Sequence, residues 1–116
     1  MSLSITPIKH DICTEIQLQG TALVEIDFDL LNQAVEESIR EGQSNVILNL
    51  KQVDLLNSIG INTLIRIFTK CRNNGGDMFI VNISDKINQV LLLTKLNTVL
   101  NIANSVEEAE QKLTLN

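Results

Sequence analysis

Val46-Ile47-Leu48-Asn49-Leu50-Lys51-Gln52-Val53-Asp54-Leu55-Leu56-Asn57-Ser58-Ile59-Gly60-Ile61 is the stretch on which the fold class turns. It opens as a short, nearly continuous apolar run of branched residues, the pattern of a strand covered on both faces. Lys51 to Leu56 reads as a loop. From Ser58 to Asn74 the apolar residues Ile61, Leu64, Ile65, Phe68 and Cys71 then recur at the spacing of an amphipathic helix. Asn73-Asn74-Gly75-Gly76 ends that helix, because glycine accepts the left-handed conformation that closes one. Met78 to Val81 follows as another short apolar strand. A buried strand, a helix and a second buried strand make one unit of a parallel α/β sheet.

Upstream, Leu3 to Ile8 and Ile12 to Leu18 both alternate, with Lys9-His10-Asp11 between them, which predicts a β-hairpin. In the second run Ile12, Thr14, Ile16 and Leu18 share one parity while Glu15, Gln17 and Gln19 share the other, so one face should be wet. Gly20 ends it. Asp27 to Glu41 places Leu31, Ala34, Val35, Ser38 and Ile39 on one helical face, with Gly42 as the stop and Arg40 near the negative end of the dipole.

Downstream, Ser84 to Leu93 reads as a third helix capped by Ser84, with Asp85 in its first turn. Val99 to Ile102 suits a last short strand, and Ser105-Val106-Glu107-Glu108 has the spacing of a capping box that opens a terminal helix through Leu113. The order ββαβαβα(β)α implies one α/β domain over 1–116. Its sheet is expected to be mixed and mostly parallel, with four to five strands and about four helices.

Composition narrows the function. A chain of 116 residues with 44% hydrophobic and 20% charged residues can bury a core without metals or disulfides. The formal charge of -5 repels phosphate backbones and anionic headgroups, and the absence of Trp and Tyr removes stacking platforms. Nucleic acid and membrane partners are therefore not expected. Cys13 and Cys71 have no metal-ligand spacing and read as small core residues in a reducing, cytoplasmic setting. No signal-like segment or membrane span is apparent.

Enzyme chemistry finds little to stand on. His10, the single histidine, falls in the predicted hairpin turn without a nucleophile at motif spacing and reads as a solvated residue. Neither a P-loop nor a Gly-x-Gly-x-x-Gly motif occurs, so no cofactor is implied. Paired acids such as Glu36-Glu37 and Glu107-Glu108 point in different directions on helices. Lys70 and Arg72 are too few for a phosphate-binding stripe. Val90-Leu91-Leu92-Leu93 reads as core, extended by an apolar contact patch.

Ser58 remains. It sits at a helix start, where backbone N–H groups and the dipole favour an attached phosphate. By spacing alone Asn57-Ser58 needs no purpose beyond capping.

Taken together, the strand Val46–Leu50, the turn Asn57-Ser58-Ile59-Gly60, the helix from Ile61 to Gly76 and the strand Met78–Val81 resemble the STAS domain of anti-sigma factor antagonists. Ser84 to Leu91 and Leu96 to Leu100 extend the resemblance over nearly the whole chain. The family's turn commonly reads Asp-Ser-Ser-Gly, with its first serine phosphorylated by a partner that is both serine kinase and anti-sigma factor. The resemblance places Ser58 in that role. It implies a bacterial partner switch: the unphosphorylated domain binds the kinase, phosphorylation releases it and a phosphatase resets it. It further implies a partner-binding surface of Thr21, Leu23, Asn57, Ser58, Ile59, Gly60, Ile61 and Asn62, with no catalytic residue and no metal.

Four departures from the family pattern bear on this. Asn57 replaces the usual Asp, Ile59 the second serine and Asn62 a small residue, and Gly20 to Leu23 lacks an acidic position. They leave open a phosphorylation-independent interaction module, or a sensor of a small ligand beside the same turn.

Overall fold

The computed structural model describes residues 3–20, 25–53 and 56–114. Strand β1 (Ser4–Lys9) turns through His10 to Ile12 into β2 (Thr14–Gln19), and helix α1 (Glu25–Arg40) follows. Then come β3 (Val46–Gln52), α2 (Ser58–Asn73), β4 (Met78–Val81) and α3 (Asp85–Leu93). A single 3-10 turn at Leu96–Thr98 leads into β5 (Asn101–Ala103) and α4 (Val106–Thr114). The sheet has five strands in chain order, β1 antiparallel to β2 and every later neighbour parallel. This is the mixed, mostly parallel sheet with four helices that the alternating pattern predicts.

The sheet divides the core in two. On one face Ile16, Leu48 and Ile80, aligned by register across β2, β3 and β4, pack under Leu31 and Val35 of α1, Leu64 and Ile67 of α2, and Ile87 and Leu91 of α3. On the other face Ile47, Phe79, Val81 and Ala103 meet Ala109 and Leu113 of α4. The short α4 covers only part of its face, so Gln17 and Gln19 stay exposed. Cys13 and Cys71 are free, fully buried and in different clusters. Burial and neighbouring acids push both thiols up to about 12.

Turn chemistry fixes the connections. Gly42 takes φ 93°, and the N–H groups of Gly42 and Gln43 return to the carbonyls of Ile39 and Ser38, so α1 ends where its glycine predicts. Gly76 has no room for a side chain, since a Cβ there would lie 2.0 Å from the Ser44 carbonyl oxygen. Ser84 caps α3 through the amide of Ile87, and Ser105 Oγ accepts from the amide of Glu108 at 3.1 Å.

Several expectations need correction. The buried stripe of α2 is Gly60, Thr63, Leu64, Ile67 and Cys71; Ile61, Ile65 and Phe68 lie at its half-buried margins. The stripe is rotated because Gly60 and Thr63, neither of them apolar, face inward. Of the run Val90 to Leu93 only Leu91 is core, with Leu92 and Leu93 51% and 84% exposed. The last strand starts at Asn101, later than Val99, because the 3-10 turn occupies the preceding residues.

Glu15 and His10 also depart from expectation. Glu15 lies on the supposedly wet parity of β2 yet is 5% exposed. Its carboxylate accepts from His10 Nε2 at 2.9 Å, Asn49 Nδ2 at 3.0 Å and Gln17 Nε2 at 3.1 Å. His10 is therefore a half-buried partner of Glu15 and not a free turn residue. Burial alone would raise the Glu15 pKa, but the bonds from Asn49, His10 and Gln17 outweigh it and hold the carboxyl below its ordinary value. Asn49 Oδ1 in turn accepts from Asn82 Nδ2 at 3.2 Å, so one polar chain crosses β2, β3 and the end of β4.

Candidate functional site

The carboxyl ends of the parallel strands feed the starts of the helices, and α2 begins where β3 and a short connection deliver it. Asn57 stands before the first helical residue with extended backbone (φ -92°, ψ -177°), and its Oδ1 accepts the amide of Gly60 at 2.9 Å. That is an N-cap. Ser58 is thus the first helical residue and not the cap, and its side chain is exposed.

The amides of the first turn can be accounted for one by one. Gly60 donates to the Asn57 side chain and Ile61 to the Asn57 carbonyl at 3.0 Å. Those of Ser58 and Ile59 have no acceptor among the described residues, the ordinary state of a helix start. No acidic residue lies in the first turn. The positive end of a sixteen-residue helix therefore faces solvent beside an exposed hydroxyl, a setting that favours a phosphate on that hydroxyl.

Gly60 is buried for a steric reason. A Cβ would fall 2.8 Å from Phe28 Cζ, 3.1 Å from Phe28 Cε1 and 3.2 Å from Leu56 Cδ2. The missing side chain lets the start of α2 press against Phe28 of α1. Further along, Lys70 Nζ donates to Asn32 Oδ1 at 2.8 Å and Glu36 Oε1 at 2.7 Å, tying the same two helices together. The Lys70 bond and charge hold the Glu36 carboxyl below its ordinary value. Arg72 lies 5.3 Å from the Phe68 ring and 3.7 Å from Asp77, so both basic residues of the last turn have partners within the protein.

Around Ser58 the surface is mixed. Ile59 is 38% exposed, Asn62 is exposed one turn on, and Ile61 is half-buried. A small cavity of about 100 Å³ lies between α1 and α2, lined by Phe28, Asn32, Ile59, Thr63 and Arg66 among others. The structure thus brings Asn57, Ser58, Ile59, Gly60, Ile61 and Asn62 together at one helix start, while Thr21 and Leu23 lie outside the described residues. Gly60 is buried against Phe28, a packing role that only the position of Phe28 reveals. Among the described residues no group of His, Cys, Asp and Glu has the arrangement of a metal site, and no helix is long and apolar enough to cross a membrane.

Comparison with known proteins agrees with this architecture. The family model described as the STAS domain matches residues 6–109. The anti-sigma-B factor antagonist of Staphylococcus epidermidis is 24% identical over 110 residues, covering 92% of this chain and 98% of its own length. An anti-sigma factor antagonist from Mycobacterium paratuberculosis superposes with a TM-score of 0.83 at 18% identity, over 97% of this chain and 95% of that one. The Bacillus cell-fate determinant SpoIIAA in its phosphorylated form superposes with a TM-score of 0.71 at 17% identity, over 94% and 98%. At these identities the structural likeness speaks for the fold.

Proposed function

Because this chain belongs to the STAS domain family, we propose that it is a regulatory, non-enzymatic anti-sigma factor antagonist that uses Ser58 as a phosphorylation switch. In the unphosphorylated state it binds a serine kinase that doubles as an anti-sigma factor. Phosphorylation of Ser58 weakens that binding, and a phosphatase restores it.

The observation that carries this reading is the division of labour at the start of α2. Asn57 supplies the cap, so the fold makes no demand on the Ser58 hydroxyl, which is exposed at the positive end of the helix. A dianionic phosphate there would meet the amides of Ser58 and Ile59, which have no acceptor among the described residues, without an acidic neighbour in the first turn. It would also put charge beside the exposed Ile59, where a docking partner would otherwise find apolar surface. The relatives named as anti-sigma factor antagonists, and a fold neighbour solved in a phosphorylated form, support the same reading.

The test is phosphopeptide mass spectrometry after incubation with ATP and serine kinases from the same genome, with Ser58→Ala as control, followed by binding measurements. Phosphate on Ser58 and weaker kinase binding afterwards are expected. A kinase that binds the domain equally well before and after phosphorylation would refute the switch. Ile59 favours one other reading: at 38% exposure in place of a serine, it offers an apolar contact suited to a phosphorylation-independent interaction module. That module would bind its partner without modifying Ser58 and would lose affinity on Ile59→Ser.

A further inference from the structure

A second recess opens at the same end of the sheet. From β4 the chain enters α3 on the face that carries α1 and α2, whereas from β5 it enters α4 on the opposite face. β4 and β5 are parallel neighbours, so their carboxyl ends part between two diverging helices. In open α/β sheets such a switch point is where ligands are held. Here it contains a cavity of about 460 Å³, lined by Asn82, Ile83, Asp85, Asn88, Ile102 and Asn104 among others. That volume lies in the range of small-molecule sites.

The lining is specific in its chemistry. Asn82 is held at φ 58° with its carboxamide nitrogen bonded to Asn49 Oδ1, which leaves its own oxygen for another donor. Asp85 and Asn88 lie three residues apart, on one side of the first turn of α3. Among the described residues, the carboxamides of Asn88 and Asn104 and the carboxylate of Asp85 make no hydrogen bond or ion pair. Ile83 and Ile102, both half-buried, add apolar surface beside these polar groups.

The electrostatics favour no ion strongly. The Asp85 carboxylate repels an anion, and the positive ends of α3 and α4 offset part of the attraction that Asp85, Glu107 and Glu108 in their first turns would offer a cation. Three carboxamides that both donate and accept, one carboxylate that accepts, and a patch of aliphatic surface suit adjacent hydroxyl groups above a C–H face. We propose that this crevice binds a small, neutral, polyhydroxylated ligand, a sugar or polyol. The proposal does not depend on phosphorylation of Ser58.

The experiment is a ¹H–¹⁵N NMR titration of the full chain with myo-inositol, glucose and maltose, and with inorganic phosphate and spermidine as charged comparisons. At least one neutral polyol should give saturable shifts concentrated at Asn82, Asp85, Asn88 and Asn104. Asn88→Leu and Asn104→Leu, both at exposed positions, should each weaken it roughly tenfold, the loss expected when a ligand hydroxyl is left without its partner. Three outcomes would overturn the proposal. They are no saturable shift with any neutral polyol below about 10 mM, shifts that both variants leave unchanged, or preferential saturation of the crevice by phosphate or spermidine.

Discussion

Replacing Asn57 by Ala and, separately, Ser58 by Ala distinguishes the residue that holds α2 from the residue available for chemistry. Asn57 Oδ1 accepts the Gly60 amide at 2.9 Å, and Gly60 is buried against Phe28 and Leu56. Truncating Asn57 therefore leaves a donor that water reaches poorly, and the expected cost is about 1–2 kcal/mol, the upper part of the range for a lost N-cap. For a domain of this size that corresponds to a fall in Tm of roughly 4–8 °C. Ser58 is exposed in the first helical position, and alanine is the better helix former, so Ser58→Ala should stay within about 0.5 kcal/mol of the parent. Asn57→Asp keeps the acceptor and adds a negative charge at the positive helix end, so it should match or exceed the parent by about 0.3–1 kcal/mol. Thermal and urea unfolding of the four proteins give the ordering directly. A Ser58→Ala protein as destabilised as Asn57→Ala would refute the assignment of the cap. It would also remove the argument that the hydroxyl is free for modification.

Two further outcomes follow from the buried Glu15 and the tightly packed Gly76. The folded state lowers the pKa of Glu15, so its ionised carboxylate contributes stability in full above the ordinary value of 4.5, and that contribution is lost as pH falls through the lower folded value. Urea midpoints should therefore drop in the acid range, and Glu15→Gln should flatten that drop; an unchanged acid limb would show that Glu15 is not the group responsible. Gly76→Ala would drive a Cβ to 2.0 Å from the Ser44 carbonyl oxygen, a backbone atom with little freedom to yield. A loss of about 3 kcal/mol or more is expected in chemical unfolding, at or beyond the usual upper end for overpacking, and a loss below about 1 kcal/mol would mean that the two loops separate easily.

Most of the architecture is legible in the sequence because its signals are local. Branched runs at Val46 to Leu50 and Met78 to Val81, the helical spacing of Leu31, Val35 and Ser38, and the closing glycines each act over a few residues. The missed features depend on what arrives from elsewhere in the chain. Glu15 looks solvated by parity and becomes buried through His10, Asn49 and the packing of α4 beside it. The inward face of α2 is displaced because Gly60 makes room for Phe28 and Thr63 satisfies its hydroxyl on the Ile59 carbonyl, so neither needs to be apolar. Asn57 and Ser58 are adjacent and both can cap; the assignment turns on a single register step that composition does not reveal. Asn82, Asn88 and Asn104 gave no sequence signal, since isolated asparagines are ordinary loop and surface residues until a fold gathers them.

The Phe28 ring seated where Gly60 lacks a side chain, and Lys70 clasped between Asn32 and Glu36, join α1 and α2 at both ends of their shared length. A partner that grips this pair meets a template already set, and little conformational entropy is lost on docking. For the same reason, phosphate on Ser58 would have little slack in the helix pair to exploit. Its effect would be to alter the shape and charge presented at the contact itself, so the switch would work as a gate at the doorway and not as a lever inside the wall.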